Sequence, residues 1–294
     1  MPWLQLKIHT NRSQAEAIED ALLGAGAVSI TLQDNADQPI LEPALGETPL
    51  WDDTLLTGLF DAGIDTNLCT KIASDALGQV LPQHRWEQLE DKDWEREWMN
   101  NYHPIQCSDN LWICPSWKTP PNPAATNLLL DPGLAFGTGT HPTTFQCLQW
   151  LAEQPLKDCS VIDYGCGSGI LAIAALLLGA KDAVGVDIDP QALIATQDNA
   201  QRNNISTDHI PVYLPNKHPT EPTDVMLANI LAGPLAELAP ALTQLTKTGG
   251  RLCLSGILAT QAETVMAAYT EHFKFDPIRQ KEEWVCLSAT KIKA

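Results

Sequence analysis

The sequence predicts an α/β protein of two domains, a smaller ferredoxin-like α+β domain followed by a Rossmann-like, doubly wound domain. The 294 residues are enough for two domains. The first third contains strand and helix patterns in the order β-α-β-β-α-β, which is typical of the ferredoxin-like fold. From about residue 127, apolar strands alternate with helices, which indicates a parallel sheet covered on both faces. We place the domains at 1–92 and 106–294, with a connector at 93–105.

The first domain begins with a half-buried strand and an amphipathic helix. Residues 4–9 alternate apolar and polar side chains, as a strand with one buried face does. Ser13 and Glu16 have the spacing of a capping box, so we predict that the helix begins there. Gly24 and Gly26 end it. The apolar stripe of this helix comprises Ala17, Ile18, Ala21, Leu22 and Ala25.

Three further strands and one helix complete the first domain. The strands are predicted over 27–34, 54–60 and 85–90, with a proline-rich loop before the second of them. A helix is predicted over 66–80, because apolar residues recur there at helical spacing. These residues are Leu68, Ile72, Ala76 and Val80.

The segment DKDWEREWMNNYHP (91–104) is predicted to be a short helical connector. Tryptophans are frequent along the chain near it. Such a cluster could form an aromatic binding surface, but packing between domains is the more common use, and we favour it. The cluster comprises Trp86, Trp94, Trp98, Trp112 and Trp117.

In the second domain, each of four apolar strands precedes a helix. This alternation predicts the doubly wound sheet, and WVCLSATKI near the C-terminus predicts a last, antiparallel strand. The strands are predicted at 161–165, 183–189, 224–230 and 251–257, and the helices at 168–178, 190–203, 233–244 and 260–272.

The formal net charge is −18, and it is unevenly distributed. Residues 1–104 hold six Lys and Arg against 18 Asp and Glu, a net charge of −12. This segment would repel a nucleic-acid backbone and attract a basic protein. The alternative is that the acidity serves only solubility.

Other composition features exclude several classes of protein. The N-terminus has no cationic segment followed by an apolar core, so a signal peptide is not expected. The longest apolar run has 11 residues, too few to span a membrane. We therefore expect a cytoplasmic protein without a membrane partner. None of the eight cysteines forms a C-x-x-C pair or has a histidine at zinc spacing, so we expect reduced thiols and no metal.

The run Asp163-Tyr-Gly-Cys-Gly-Ser-Gly169 follows a buried strand and opens a helix. Its glycines, including Gly165 and Gly167, let the backbone turn and approach a ligand closely. A dinucleotide loop has the spacing G-x-G-x-x-G, but Ile170 stands where the third glycine would be. With an acid two residues before the first glycine, the run suits a ligand bearing an ammonium and a carboxylate.

Asp187 ends the next strand, 22 residues after Gly165. A carboxylate there can accept hydrogen bonds from ribose hydroxyls, which predicts an adenosine-like ligand. The alternative is an acid at a helix start. Asp189 is a second candidate, although it more plausibly caps the helix that begins at Pro190.

Two further segments carry candidate site residues. Asn229 ends a strand and could orient an amine, or it could cap the next helix. The glycine-rich loop 128–144 could close over a cofactor, with Phe136 as a cover and Thr144 as a hydrogen-bonding group. His141 could be a general base, but we favour a histidine that organises the loop.

These motifs together resemble a known family. The core resembles the class I methyltransferase fold, and the segments DPGLAFGTGTHPTT, DYGCGSGILAIAA, GVDIDPQA, DNAQRNN and ANILAGPL resemble the PrmA family of ribosomal protein L-eleven methyltransferases. The resemblance covers the whole chain. It implies the cofactor S-adenosyl-L-methionine and a substrate methylated on lysine ε-amines and the N-terminal α-amine. It also implies that this substrate is the basic ribosomal protein L-eleven and that the N-terminal domain recognises it. No direct contact with nucleic acid is expected.

The resemblance also implies roles for individual residues. The implied cofactor contacts are Thr144, Gly165, Asp187 and Asn229, with Phe136 as a further one, alongside Asp163 and Gly167 from the glycine run. Asn229 would orient the amine, and no dedicated base is expected. The chain has Asn-Ile-Leu-Ala where methyltransferases acting on amide or exocyclic nitrogens usually have Asn-Pro-Pro-Tyr, which argues against DNA or glutamine as the acceptor.

Two other classes of function compete with this interpretation. A nicotinamide-dependent oxidoreductase is disfavoured by Ile170. A non-catalytic ribosome assembly factor is disfavoured by the intact glycine run, Asp187 and Asn229.

Overall fold

The computed structural model describes residues 3–38, 40–41, 47–89, 99, 102–131, 137–218 and 220–293. The chain divides into two compact units, Met1–Met99 and Asn100–Ala294. Most of the predicted connector, including Trp94 and Trp98, lies outside the described residues. Trp86 packs on Phe60 within the first unit, with ring centroids 5.0 Å apart.

The first unit has the predicted β-α-β-β-α-β order. Its sheet is antiparallel, with strand order β2-β3-β1-β4, which is the ferredoxin-like arrangement. The elements are β1 (Trp3–Thr10), α1 (Arg12–Gly24), β2 (Ser29–Asp34), β3 (Thr54–Asp61), α2 (Thr66–Leu77) and β4 (His84–Leu89).

The predicted capping box at the start of α1 is wrong. The helix is capped two residues earlier by Asn11, whose Oδ1 accepts a hydrogen bond from the Ser13 backbone N–H at 3.1 Å. Asn11 has extended backbone angles, as an N-cap requires, while Ser13 is already helical. On α1, Ala15 is buried, whereas Ala17, which was predicted to be part of the apolar stripe, is exposed.

The apolar face predicted for α2 is also wrong, although the helix itself is present. Leu68 and Ile72 are 54% and 40% exposed, whereas Cys69 and Ala73 are buried. The two residues of each pair are four positions apart, and the second pair is offset from the first by one position. Cys69 and Ala73 have the smaller side chains, so their burial lets α2 approach the rest of the unit closely. Val80 lies beyond the helix, which ends at Leu77 and is capped by Gly78 in the left-handed conformation (φ 66°).

The second unit begins with a small sheet that the sequence did not reveal. Its three strands are β5 (Ile105–Ser108), β6 (Leu111–Cys114) and β7 (Thr126–Leu129), in that order in space. Each has only four residues, too few for a clear alternating pattern. Helix α3 (Pro142–Ala152) follows.

The main sheet has eight strands and contains the parallel core that was predicted. Its order is β10-β9-β8-β11-β12-β15-β13, with β14 paired to β15. Neighbours from β10 to β12 are parallel, and β15 is antiparallel to β12, as expected for the last strand. The strands are β8 (Ser160–Tyr164), β9 (Asp182–Val186), β10 (Val212–Tyr213), β11 (Thr223–Asn229), β12 (Thr246–Leu258), β13 (Phe273–Phe275), β14 (Arg279–Lys281) and β15 (Trp284–Lys291).

The helices between these strands follow the predictions with one exception. They are α4 (Ile170–Leu177), α5 (Pro190–Arg202), α6 (Ala232–Glu237), α7 (Ala239–Gln244) and α8 (Ala262–Tyr269). The single helix predicted over 233–244 is two short helices, because Pro240 has no N–H with which to continue the hydrogen-bond ladder.

The main sheet is buried on both faces, which explains its continuous apolar strands. Consecutive residues of β11 alternate between two apolar clusters, Val225 and Leu227 in one and Met226 and Ala228 in the other. Among the described residues, no helix is long and apolar enough to cross a membrane.

Candidate active site

The carboxyl ends of β8, β9 and β11 lie side by side, since these strands are neighbours in the parallel sheet. Ligands of doubly wound sheets bind at this edge. The glycine run turns sharply here, with φ values of 83° at Gly165, 53° at Gly167 and 78° at Gly169. L side chains rarely adopt these angles, so the glycines make the turn possible.

Asp187 is directly connected to the glycine run. Its Oδ2 accepts a hydrogen bond from the Gly167 N–H at 2.9 Å, and its Oδ1 accepts one from the Asp189 N–H at 3.0 Å. Asp189 caps α5 through the Gln191 N–H at 2.9 Å, as predicted. The cap is therefore not Asp187, whose carboxylate retains acceptor capacity for hydroxyl groups.

Asp163 is a buried carboxyl group with one unused oxygen. Its Oδ2 accepts a hydrogen bond from the Ala172 N–H at 3.2 Å, while Oδ1 is buried and has no partner among the described residues. Burial, with a smaller contribution from the charge of Asp187, raises the pKa of Asp163 to about 7. A buried, unpaired carboxyl oxygen suits a cationic donor on a ligand.

Asn229 and Thr144 come from distant parts of the chain and meet at this edge. The Asn229 Nδ2 donates a hydrogen bond to the Thr144 Oγ1 at 3.1 Å. Thr144 is buried in the first turn of α3. The helix after Asn229 has Leu231 as its N-cap, so Asn229 does not cap it. The hydrogen bond fixes the orientation of the Asn229 amide.

Ile230 lies in a space left by two glycines, and sequence reasoning missed it. A Cβ on Gly165 would come within 2.2 Å of the Ile230 Cγ2, and a Cβ on Gly256 within 2.3 Å of the Ile230 O. Pairing between β12 and β15 is shifted between Leu254 and Ile257, at this point. The contact therefore holds the segment after Asn229 against the glycine run.

Two polar residues of α5 also support the glycine run. Thr196 Oγ1 donates to the Gly167 O at 3.1 Å, and Asn199 Nδ2 donates to the Ser168 O at 2.8 Å. Both side chains are buried. The sequence signal was polar residues on the inner face of an amphipathic helix, in and near the DNAQRNN segment.

His141 organises the start of α3. It is the N-cap, its Nδ1 lies 2.7 Å from the Thr143 Oγ1, and its ring contacts Trp284 edge-on at 5.0 Å. Burial lowers the pKa of His141, so the ring is neutral at neutral pH. These contacts agree with the structural role that we favoured.

The loop before α3 is tied to the glycine run. The Ser168 Oγ donates to the Gly137 O at 2.6 Å. Phe136, the predicted cover of the cofactor, lies outside the described residues.

These groups fit S-adenosylmethionine. Asp187 offers acceptors for ribose hydroxyls, and Asp163 offers a buried oxygen for an ammonium. The turn at Gly165 and Gly167 lets a ligand approach the backbone closely. Asn229, at the end of β11, and Thr144, on α3, lie next to each other at this edge of the sheet.

Comparisons with known proteins agree with this fold. The family model described as ribosomal protein L11 methyltransferase (PrmA) matches residues 2–292. The ribosomal protein L11 methyltransferase of Cellvibrio japonicus is 66% identical over 294 residues, covering 100% of both chains. The protein of that name from Escherichia coli O8 is 57% identical over 294 residues, covering 99% of this chain and 100% of its own.

A solved structure is similar as well. The ribosomal protein L11 methylase from Lactobacillus delbrueckii subsp. bulgaricus has a TM-score of 0.59 and 33% identity, covering 65% of this chain and 100% of its own. The family match rules out the oxidoreductase alternative and confirms the fold class and S-adenosylmethionine as cofactor. The chain belongs to the ribosomal protein L11 methyltransferase (PrmA) family.

Proposed function

We propose that this protein transfers methyl groups from S-adenosylmethionine to lysine ε-amines and the N-terminal α-amine of large-subunit ribosomal protein L11. The names of its relatives supply the substrate. The observation that supports an amine acceptor is the hydrogen bond between Asn229 and Thr144. With Nδ2 donating to Thr144, the Asn229 Oδ1 is the end of the amide that can accept a hydrogen bond from an amine.

In this proposal the protein contributes mainly position and exclusion of water. When bound, S-adenosylmethionine supplies a methyl group on a sulfonium, which is already a strong electrophile. Asn229 Oδ1 accepts an N–H of the amine and aligns its lone pair with the methyl carbon. The amine must first lose its proton to solvent water, since the reference pKa of lysine is about 10.4, and desolvation lowers that value. No dedicated base is required.

We also propose that residues 1–92 recognise the substrate. The first 104 residues carry a net charge of −12, and ribosomal proteins are basic, so long-range attraction would steer the substrate towards the enzyme. We infer a cytoplasmic location from this substrate, and direct nucleic-acid binding is not expected. Activity on free L11 should fall as salt is raised from about 0.05 to 0.5 M. A flat response would contradict steering.

The decisive experiment is to incubate the protein with labelled S-adenosylmethionine, free L11 and ribosomal RNA, and to locate the label by peptide mass spectrometry. Label on lysines and the N-terminal amine supports the proposal. Label on RNA, or on glutamine or arginine, contradicts the acceptor. No label, with the cofactor bound, would support the non-catalytic alternative.

The role of Asn229 has its own test. Asn229→Ala should lower kcat by roughly 100-fold, because a misplaced nucleophile costs about that much. The matched control is Asn127→Ala, which removes an asparagine of β7 whose Nδ2 donates to the backbone carbonyl oxygens of Asn122 and Ala125 in the preceding loop. Unchanged turnover in Asn229→Ala would show that Asn229 does not orient the amine.

A further inference from the structure

Three buried cysteines from separate elements meet where α3 packs on the main sheet. Cys147 lies on α3, Cys253 on β12 and Cys286 on β15. They are 1%, 0% and 1% exposed. The Cys253 Sγ is 3.9 Å from the Cys147 Sγ and 3.5 Å from the Cys286 Sγ, and all three sulfurs lie within 4.8 Å of one another.

The cluster offers three sulfur ligands and nothing else. Among the described residues, no histidine or carboxylate belongs to the group. Structural zinc sites use four ligands, and iron–sulfur clusters are held by four cysteines. Soft thiolate ligands select soft ions, so a three-sulfur set suits a thiophilic ion that takes three ligands.

The surroundings restrict the charge that the site can hold. All three cysteines belong to the apolar cluster on one face of the main sheet. Three thiolates around Cu⁺ or Zn²⁺ would leave a net negative charge in this core, which is costly. Three thiolates around a trivalent ion leave none.

We propose that Cys147, Cys253 and Cys286 form a site for one trivalent arsenic ion, bound as a neutral three-thiolate complex. Arsenite, As(OH)₃, reacts with three thiols to give As(SR)₃ and three waters. Three S–H and three As–O bonds break, three As–S bonds and three O–H bonds form, and no atom changes oxidation state. No thiolate charge therefore has to be buried.

The position of the site connects it to the acceptor end of the active site. Cys147 follows Thr144 by three residues on α3, so the two share a helix face. Leu227 pairs with Cys253 in the sheet, as Asn229 pairs with Ser255. A bound ion would link α3, which carries Thr144, to the strand beside Asn229.

Mass spectrometry under non-denaturing conditions tests the proposal. The reduced full-length protein is incubated with arsenite, both in buffer and in urea below its unfolding transition so that local opening does not limit entry, and is then desalted. We expect one adduct per chain, heavier than the protein by one arsenic less three protons. X-ray absorption at the arsenic edge should show three sulfur neighbours.

Variants assign the adduct to the cluster. Cys253→Ala and Cys286→Ala should each abolish the three-proton adduct, with folding checked by circular dichroism. Cys69→Ala, which removes a buried thiol of the first unit, should retain it. The proposal is overturned if the parent protein takes up no arsenic in either condition, or if both cluster variants keep a three-sulfur adduct.

Discussion

Replacing Asp163 with asparagine should stabilise the protein at alkaline pH and weaken cofactor binding. The pKa of Asp163 is raised from 3.8 to about 7, chiefly by burial. A folded-state pKa above the unfolded value contributes stability that is present at low pH and lost as pH rises through about 7. The shift corresponds to at most about 4 kcal/mol, at 1.36 kcal/mol per pH unit. Asparagine keeps the shape and the acceptor for the Ala172 N–H but cannot ionise.

Urea unfolding of both proteins between pH 5 and pH 8.5 measures this difference. The stability of D163N relative to the parent should rise by about 3 kcal/mol over that range and level off above pH 7. Asp224→Asn is the control: hydrogen bonds from Lys247 and Ser160 outweigh the effect of partial burial and lower the pKa of Asp224, so its titration lies below this pH range and the stability difference between D224N and the parent should not change with pH. A pH-independent difference for D163N would refute the reasoning.

Affinity of D163N for S-adenosylhomocysteine should fall about tenfold or more, since charged hydrogen bonds contribute about 1.5–3 kcal/mol.

Three further substitutions test the site. Gly165→Ala places a Cβ within 2.2 Å of the Ile230 Cγ2 at a φ of 83°, so urea unfolding should show a loss of about 1–3 kcal/mol, and unchanged stability would mean that the contact relaxes freely. Thr144→Val removes the acceptor for the Asn229 amide and should lower kcat about tenfold, while Thr144→Ser should retain it. His141→Asn preserves a good N-cap, so kcat should stay within about twofold; a loss of about 100-fold with an altered pH profile would instead make His141 a base.

The features that could be predicted from sequence were those set by local patterns. The continuous apolar run in β11 predicted a strand buried on both faces, and both faces are covered by apolar clusters. The glycine run and Asp187 predicted a turn and a carboxylate at one sheet edge, because parallel strands end at the same side. Their hydrogen bond at 2.9 Å places them together. The roles of these residues in cofactor binding remain predictions.

The features that could not be predicted depend on tertiary packing. In α2, two apolar series have helical spacing, one beginning at Leu68 and the other at Cys69. Only the close packing of the unit determines that the series beginning at Cys69 is the buried one. Cys147 and Cys253 are 106 residues apart, and no local spacing brings them together. Ile230 follows Asn229 in the sequence, but the gaps that receive it lie at Gly165, in the turn after β8, and at Gly256, on β12.

The fit of Ile230 between Gly165 and Gly256 has a consequence for sequence variation. The Cγ2 methyl of Ile230 occupies the space above one glycine, and its backbone occupies the space above the other. The space available to a side chain at 165 or at 256 is therefore set by Ile230. A larger residue at 165 demands a smaller one at 230, but no change at 230 relieves a side chain at 256, because that side chain meets backbone. Because both glycines also have a φ of 83°, a smaller residue at 230 would relieve the contact at 165 but not the backbone strain there, so the family should hold both 165 and 256 as glycine.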